Sequence, residues 1–426
     1  MKAFPQLFTV LLLPVSFTIA ACSPPSDASG DDPVAAVNQA ATATIPPEGG
    51  GVSTNAITEA PTGYDNLTNE FLTQADFDAA REIFEETEVL DDGLGPVYNA
   101  QSCRECHQNP VTGAASQVTE FRAGHFNGVS FVDHPGGSLI NDRAIDAAFQ
   151  ERIAAGQEVR TFRLSLNLLG DGFVESIDSN TLANISNAQP AGQRGTVIQV
   201  PVLEANNAVR VGRFGWKNQH ASLQSFAADA YVNEMGITSP LQPTDNTSNG
   251  TVVTDGIPDP EDADGADIDF FTNFMRSLKA PPRDAAVAAT ASAQRGSGLF
   301  DSIGCAVCHV RNINTATAGT VINAGAFTVP AALGDKTIHP FSDFLLHDVG
   351  TGDGIVQNGG QGTRNLVRTP PLWGLRVRDR LMHDGATVSR TDAINRHANQ
   401  GGTARNNFNA LSATSQQDVI NFLNSL

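Results

Sequence analysis

Positive charge is scarce in this chain of 426 residues: 26 Lys and Arg stand against 46 Asp and Glu, a formal net charge of −20. That balance argues against nucleic acid or anionic lipid headgroups as the main ligand, because their phosphates would be repelled. Tyrosine and tryptophan are scarce as well, 3 and 2 against 23 phenylalanines. Cysteine is both rare and odd in number. Five cysteines cannot all pair in disulfides within one chain. Apolar residues are not lacking: at 40 % they can build a core, which excludes wholesale disorder. The length suggests about two domains of about 100–200 residues each.

The first cysteine belongs to the N-terminus. Met1-Lys2 is followed by an apolar stretch from Ala3 to Ala21, ending Ala20-Ala21-Cys22-Ser23. The stretch is too short and wrongly flanked for a membrane span and fits an export signal. It resembles a bacterial lipoprotein signal, in which cleavage precedes a cysteine that is then lipidated, here Cys22. Ser23 after that cysteine tilts the resemblance towards the outer membrane. Residues 23–60, rich in Pro, Ser, Ala, Gly and Thr, read as a flexible linker. The folded part is therefore expected on the periplasmic side, anchored to a membrane.

The other four cysteines form two copies of one pattern, Cys103-Arg104-Glu105-Cys106-His107 and Cys305-Ala306-Val307-Cys308-His309. Cys-x-x-Cys-His is the covalent attachment site of c-type haem. Two thiols one turn apart reach the two vinyl groups of a porphyrin, and the next residue offers its imidazole to the iron. A structural zinc site is the rival for a Cys-x-x-Cys pair. The trailing histidine in both copies, their separation of 202 residues and the export signal favour two covalently bound haems c.

The flanks agree. Phe77, Ala80 and Phe84 recur at helical spacing after Thr73, just before the first motif. Ala293 to Phe300 leads into the second in the same way. Val419, Phe422, Leu423 and Leu426 form a terminal stripe. A helix before the motif and a terminal helix crossing it is the minimal haem-burying unit of class I cytochromes c. The expected fold is mainly α, with two such domains, residues 61–285 and 286–426, the first enlarged by loop-rich insertions.

Longer stretches resemble the di-haem oxidoreductase family related to bacterial di-haem cytochrome c peroxidases and MauG. They include Gly93-Leu94-Gly95-Pro96, Gly136 to Ile140, Val211 to Lys217, Asn233 to Thr238, Phe344 to Asp348, Arg368 to Gly374 and His383-Asp384-Gly385. In such enzymes one haem takes up the oxidant and the other relays electrons. The resemblance implies that Trp216 bridges the haems and that Glu234 stands over the open face of the first. A lone Trp in a core is otherwise ordinary packing. A carboxylate in an apolar haem pocket, its pKa raised by desolvation, can move the proton that peroxide cleavage requires. Between Trp216 and Glu234 the chain is about two residues shorter than in the peroxidases, and their glutamine position falls near Gln224 or Phe226.

His107 and His309 are the proximal ligands by motif. The resemblance puts the sixth ligand of the second haem at His397, 14 residues after His383, with Met382 as competitor. Two imidazoles lower the reduction potential relative to a thioether. For the first haem, His125 is the leading candidate for a labile sixth ligand, His134 and His220 are alternatives, and an open iron is equally consistent. Arg368, placed like a family arginine, would reach a haem propionate. Related peroxidases bind Ca²⁺ between the haem domains, so calcium is a candidate cofactor. The acidic run around Asp255, Asp259, Asp262 and Asp264 lacks a binding-loop spacing and reads as a solvated loop.

The implied function is an exported di-haem oxidoreductase, peroxidase-like, that activates peroxide at the first haem. Its partner would be a small electron-donor or acceptor protein of cytochrome or cupredoxin type. An oxygenase or oxidase using O₂ on an organic substrate is the enzymatic alternative. A two-haem electron-transfer lipoprotein is the non-enzymatic one, and it predicts two six-coordinate haems.

Overall fold

The computed structural model describes residues 44–50 and 56–426, so the signal segment and Cys22 lie outside the described residues. Eleven α-helices and fifteen short strands occur among these residues, so the fold is mixed rather than mainly α. The largest departure follows the first Cys-x-x-Cys-His motif. That stretch, glycine-rich and expected to be loop, forms a four-stranded antiparallel sheet around Thr119–Phe126. Six residue pairs tie this strand to Val159–Leu164. The glycines mark turns, as at Gly128, and leave the intervening strand free to pair.

Each motif is preceded by a helix that packs against a later one. Helix Gln74–Glu85 starts at Thr73, whose side chain accepts from the Asp76 amide, and buries Phe77, Ala80 and Phe84. It packs on Ala266–Ser277, where the Phe84 and Phe274 rings lie 4.6 Å apart. Burying one such ring contributes about 1.5–3 kcal/mol. The second pair repeats the scheme. Helix Ala291–Ser302, capped by Thr290, buries Ala293, Gly296 and Phe300 against Ala413–Leu423. At the crossing a Cβ on Gly296 would stand 1.8 Å from the Asp418 carbonyl oxygen, so only glycine lets the helices approach so closely. All four residues of the expected terminal stripe, Val419, Phe422, Leu423 and Leu426, are buried there.

The core is not divided as the sequence suggests. The second helix pair has its own apolar cluster, including Phe300, Phe341, Phe408 and Phe422. Residues 313–345, however, contribute Ile313, Ile322, Leu333, Ile338 and Phe344 to the large cluster that holds Phe77, Phe173 and Phe274. A boundary at 285/286 therefore crosses a shared core. The linker expected to run to residue 60 is also fixed at its end. Glu48 accepts from Ser179 Oγ at 2.6 Å and Arg210 Nε at 2.7 Å, and Thr58–Glu59 pairs in parallel with Lys336–Ile338. Polar anchoring of this kind leaves no apolar periodicity to read.

One local irregularity positions the first site. Helix Leu223–Ala230, capped by Ser222, runs into a single π turn, Tyr231–Met235, which ends at Gly236 with φ 78°. A Cβ on Gly236 would lie 2.3 Å from Gly95 O. That close approach lets the Gly95 amide donate to Met235 O at 3.0 Å, and the Asn99 and Ala100 amides to Glu234 O at 2.7 and 3.0 Å. The Gly93–Pro96 segment thus pins the turn that carries Glu234. Such π turns redirect side chains and recur at functional sites.

Candidate functional site

Two cavities flank Trp216. The first has an empty volume of about 1240 Å³, open mouth included, and its walls carry Cys103, Cys106, His107, Glu120 and Glu234. The second, of about 1330 Å³, is walled by Cys305, Cys308, His309, Arg368 and His397. Trp216 borders both. Its indole is 5 % exposed, donates from Nε1 to Leu164 O at 2.8 Å, and stands edge-on to His383. The residue is thus fixed in orientation by a hydrogen bond inside the wall between the cavities.

In the second cavity the His309 and His397 ring centres lie 6.5 Å apart, with their planes inclined at 61°. An iron about 2 Å from one nitrogen of each ring, with about 1.1 Å from nitrogen to ring centre, spans about 6.2 Å. One iron fits between them. His309 Nδ1 lies 3.0 Å from Phe341 O and His397 Nδ1 lies 2.8 Å from Ala393 O. Those carbonyls claim the Nδ1 protons and leave both Nε2 atoms for a metal. Burial holds both rings below the usual histidine range, His309 at about 4, so they are in the neutral, ligating form. Met382 borders the same cavity.

The cavity also holds basic groups with few acids: Asp171 acts on Arg368 and Asp379 on Arg390, while burial alone acts on Arg378. Arg368, Arg378 and Arg390 each have a buried Nε with no partner. Burial pulls Arg368 and Arg378 down to about 10. A buried guanidinium without a counter-charge costs several kcal/mol. The two propionates of a haem would give the three unpartnered Nε atoms acceptors and Arg378 a counter-charge. Paired thiols, two imidazoles and arginines with unpartnered Nε atoms fit a haem in this cavity.

The first cavity is built differently. His107 Nδ1 is 2.8 Å from Leu166 O, and burial holds the ring at about 4, again the ligating form. No other histidine borders this cavity. His125 is the expected ligand that the structure does not bring here. On the strand Thr119–Phe126, Glu120 and Arg122 face the cavity, and alternation sends His125 to the opposite side, with Nδ1 3.4 Å from Gln157. His134 accepts from the Ala154 amide, and His220 Nε2 is 2.9 Å from Asp229.

In place of a second imidazole the wall carries acids. Glu234 accepts from Asn99 Nδ2 at 2.9 Å and meets Glu120 within hydrogen-bonding reach. Glu120 in turn is held by Arg122 through two bonds, 2.6 and 3.0 Å. Desolvation, then the Glu120 charge, push Glu234 up to about 8. Burial would raise Glu120 too, but Arg122 and Arg163 hold it below the usual carboxylate range. The pair therefore keeps one proton near neutral pH, mainly on Glu234.

The four described cysteines are unbridged. Burial pushes Cys106 and Cys305 up to about 12, and Cys103 and Cys308 higher still, which makes them poor nucleophiles. Next to Trp216 in sequence, backbone carbonyls converge on a buried lysine. Lys217 Nζ donates to Thr363 O at 3.0 Å, Arg364 O at 3.1 Å, Leu366 O at 2.6 Å and Asp353 Oδ1 at 3.2 Å. Sequence reasoning missed Glu120, Arg122, Arg378 and Arg390. The alternation Glu120-x-Arg122 was the available signal, and it is informative only once the segment is known to be a strand.

A family model described as "Di-haem oxidoreductase, putative peroxidase" matches residues 146–426. No curated protein matches the chain significantly. Among solved structures, the diheme peroxidase BthA from Burkholderia thailandensis E264 is 15 % identical over 90 % of this chain and 93 % of its own, with a TM-score of 0.42. A MauG-like protein associated with microbial copper homeostasis is 13 % identical over 88 % and 95 %, TM-score 0.39. Kuenenia stuttgartiensis hydrazine synthase is 16 % identical over 88 % and 98 %, TM-score 0.40. TM-scores this low carry no argument about the site.

Proposed function

Because the chain belongs to the di-haem oxidoreductase family, we propose that it is an exported c-type enzyme that activates peroxide in the first cavity and exchanges electrons through the second. The observation that supports this reading is the asymmetry of the two cavities. One is closed by two imidazoles; the other pairs a single imidazole with a carboxylate pair that shares a proton.

Two cytochrome c-like units, each a helix pair around one Cys-x-x-Cys-His, would hold the haems by thioether bonds from Cys103 and Cys106 and from Cys305 and Cys308. When bound, each haem supplies reversible one-electron storage, and an iron with a free position also takes up the oxidant. His107 and His309 would hold the two groups, each in its own cavity. His397 would hold the second as well, which would close that site to oxidant. Arg368, Arg378 and Arg390 would receive its propionates.

The chemistry of the first cavity follows from its acids. Cleaving a peroxide O–O bond to give water requires a proton to leave one oxygen and arrive on the other. Glu120, ionised, and Glu234, protonated, together offer an acceptor and a donor in one wall. Positioned proton transfer of this kind contributes about 10²–10⁴ in rate. Trp216, bordering both cavities, carries the electron between them.

Outside the catalytic core, Cys22 would carry a lipid that anchors the protein on the periplasmic side, at the outer membrane. A net charge of −20 suits a basic small cytochrome or cupredoxin as donor, with an encounter that weakens as salt rises. The test is peroxide consumption by the purified holoprotein with a reduced small cytochrome as donor. Stoichiometric donor oxidation supports the reading. No peroxide-dependent oxidation would overturn it.

A further inference from the structure

The π turn that presents Glu234 also presents Tyr231, one of only three tyrosines in the chain. Tyr231 is 2 % exposed, borders the first cavity and packs edge-on against Phe271 at 5.0 Å. Its hydroxyl donates to Asp267 Oδ2 at 3.0 Å and lies 3.4 Å from Glu88 Oε1. A phenol set between two carboxylates inside a wall is an unusual expense for packing alone, since phenylalanine would fill the same space without burying acids. Glu88 is 7 % exposed, and desolvation, then Asp267, push its carboxyl up to about 7. Neither acid meets a basic side chain in the hydrogen bonds of this cluster.

We propose that Tyr231 is a redox-active residue that gives up an electron to the peroxide-oxidised first site while its phenolic proton passes to Asp267. The inference rests on the peroxide reading above. Reduction of hydrogen peroxide to two waters takes two electrons and two protons. Tyr231 supplies one of those electrons; the reduced donor protein supplies the other, and solvent supplies the two protons. Its O–H bond breaks, an O–H bond forms on Asp267 Oδ2, and a neutral tyrosyl radical remains. An electron arriving from the donor by way of Trp216, with return of the proton from Asp267, restores the phenol. A hydrogen-bonded carboxylate is what makes a buried phenol oxidisable, because loss of the electron without the proton would leave an unsolvated cation. Proton transfer over 3.0 Å needs no rearrangement of the chain.

The test uses the full holoprotein, mixed with hydrogen peroxide, freeze-quenched and examined by EPR together with haem absorption. The wild type should show a tyrosyl signal in the free-radical region that narrows when tyrosine is supplied ring-deuterated. Tyr231→Phe should lose at least about nine-tenths of it, whereas Tyr64→Phe and Tyr98→Phe should keep it. Asp267→Asn should slow radical formation about tenfold, the rate equivalent of one hydrogen bond to a charged acceptor. A haem spectrum that ignores peroxide would overturn the peroxide reading itself. A haem that responds while no tyrosyl signal forms, or while the signal survives in Tyr231→Phe, would overturn this inference alone. Should Tyr231→Phe fail to bind haem, the deuterium narrowing and the Asp267→Asn rate still decide it: a signal indifferent to both refutes the assignment.

Discussion

The carboxylate pair in the first cavity makes a specific prediction about pH. Glu234 is held at about 8 by desolvation and by the Glu120 charge, with Asn99 and Arg122 opposing them. Two carboxylate charges about 4 Å apart repel by about 4 kcal/mol at an effective dielectric of about 20, an upper limit of about 3 pK units. If the protonated Glu234 is the proton donor, peroxide turnover should be flat below about pH 7 and fall about tenfold per pH unit well above 8. Glu120→Gln removes the repelling charge, so the folded pKa of Glu234 drops and the inflection should move down by about 1–2 units. Glu234→Gln should lower turnover by about 10²–10³ and flatten the profile, with both haems retained. The assay is initial-rate peroxide consumption from pH 5 to 10 on haem-quantified protein. An inflection that stays in place in Glu120→Gln would refute the coupling. Unchanged turnover in Glu234→Gln would remove that residue from the chemistry.

Three further outcomes follow. His397→Gly should convert the second haem to a high-spin or ligand-accessible form and raise its potential by on the order of 0.1 V, within the roughly 0.8 V that axial ligation spans; potentiometry with absorption spectra checks it, and an unchanged low-spin spectrum would show a different ligand. Trp216→Phe should cost about 1 kcal/mol, the loss of one buried hydrogen bond to Leu164, and leave both haem spectra intact while slowing electron exchange between them in stopped-flow mixing. Asp353 is ionised against Arg163 and Lys217 and held at about 2, below its unfolded value of 3.8. Its contribution, on the order of 2 kcal/mol, should be fully present above about pH 4 and vanish as pH falls through about 2. Asp353→Asn, which leaves Lys217 without an acidic partner and Arg163 with Glu120 alone at 3.8 Å, should destabilise by about 3–5 kcal/mol in denaturant unfolding.

Legibility in the sequence followed covalent spacing and helical periodicity. The two Cys-x-x-Cys-His motifs, the Phe77-Ala80-Phe84 stripe and the terminal stripe at Val419 to Leu426 all depend on neighbours within a few turns, and the structure places them as a linear reading expects. Trp216 sits in the wall common to both cavities, a position that the family resemblance, rather than any spacing, anticipated. What escaped depends on partners far away in the chain. Glu120 matters because the sheet brings it to Glu234, 114 residues on, and the strand itself was masked by flanking glycines. Lys217 is a buried cation only because Thr363, Arg364 and Leu366 turn their carbonyls towards it. His125 stands away from the first cavity for the same reason, since strand parity rather than distance from His107 decides which side of the sheet it faces.

The central claim is the division of roles between the two cavities. Absorption and EPR spectra of the holoprotein, recorded oxidised and again after one-electron reduction, report the coordination of both irons at once. The account predicts one low-spin haem with two imidazole ligands and one high-spin haem that binds cyanide and reacts with peroxide. Two low-spin haems that stay low-spin after partial reduction and ignore both ligands would contradict it.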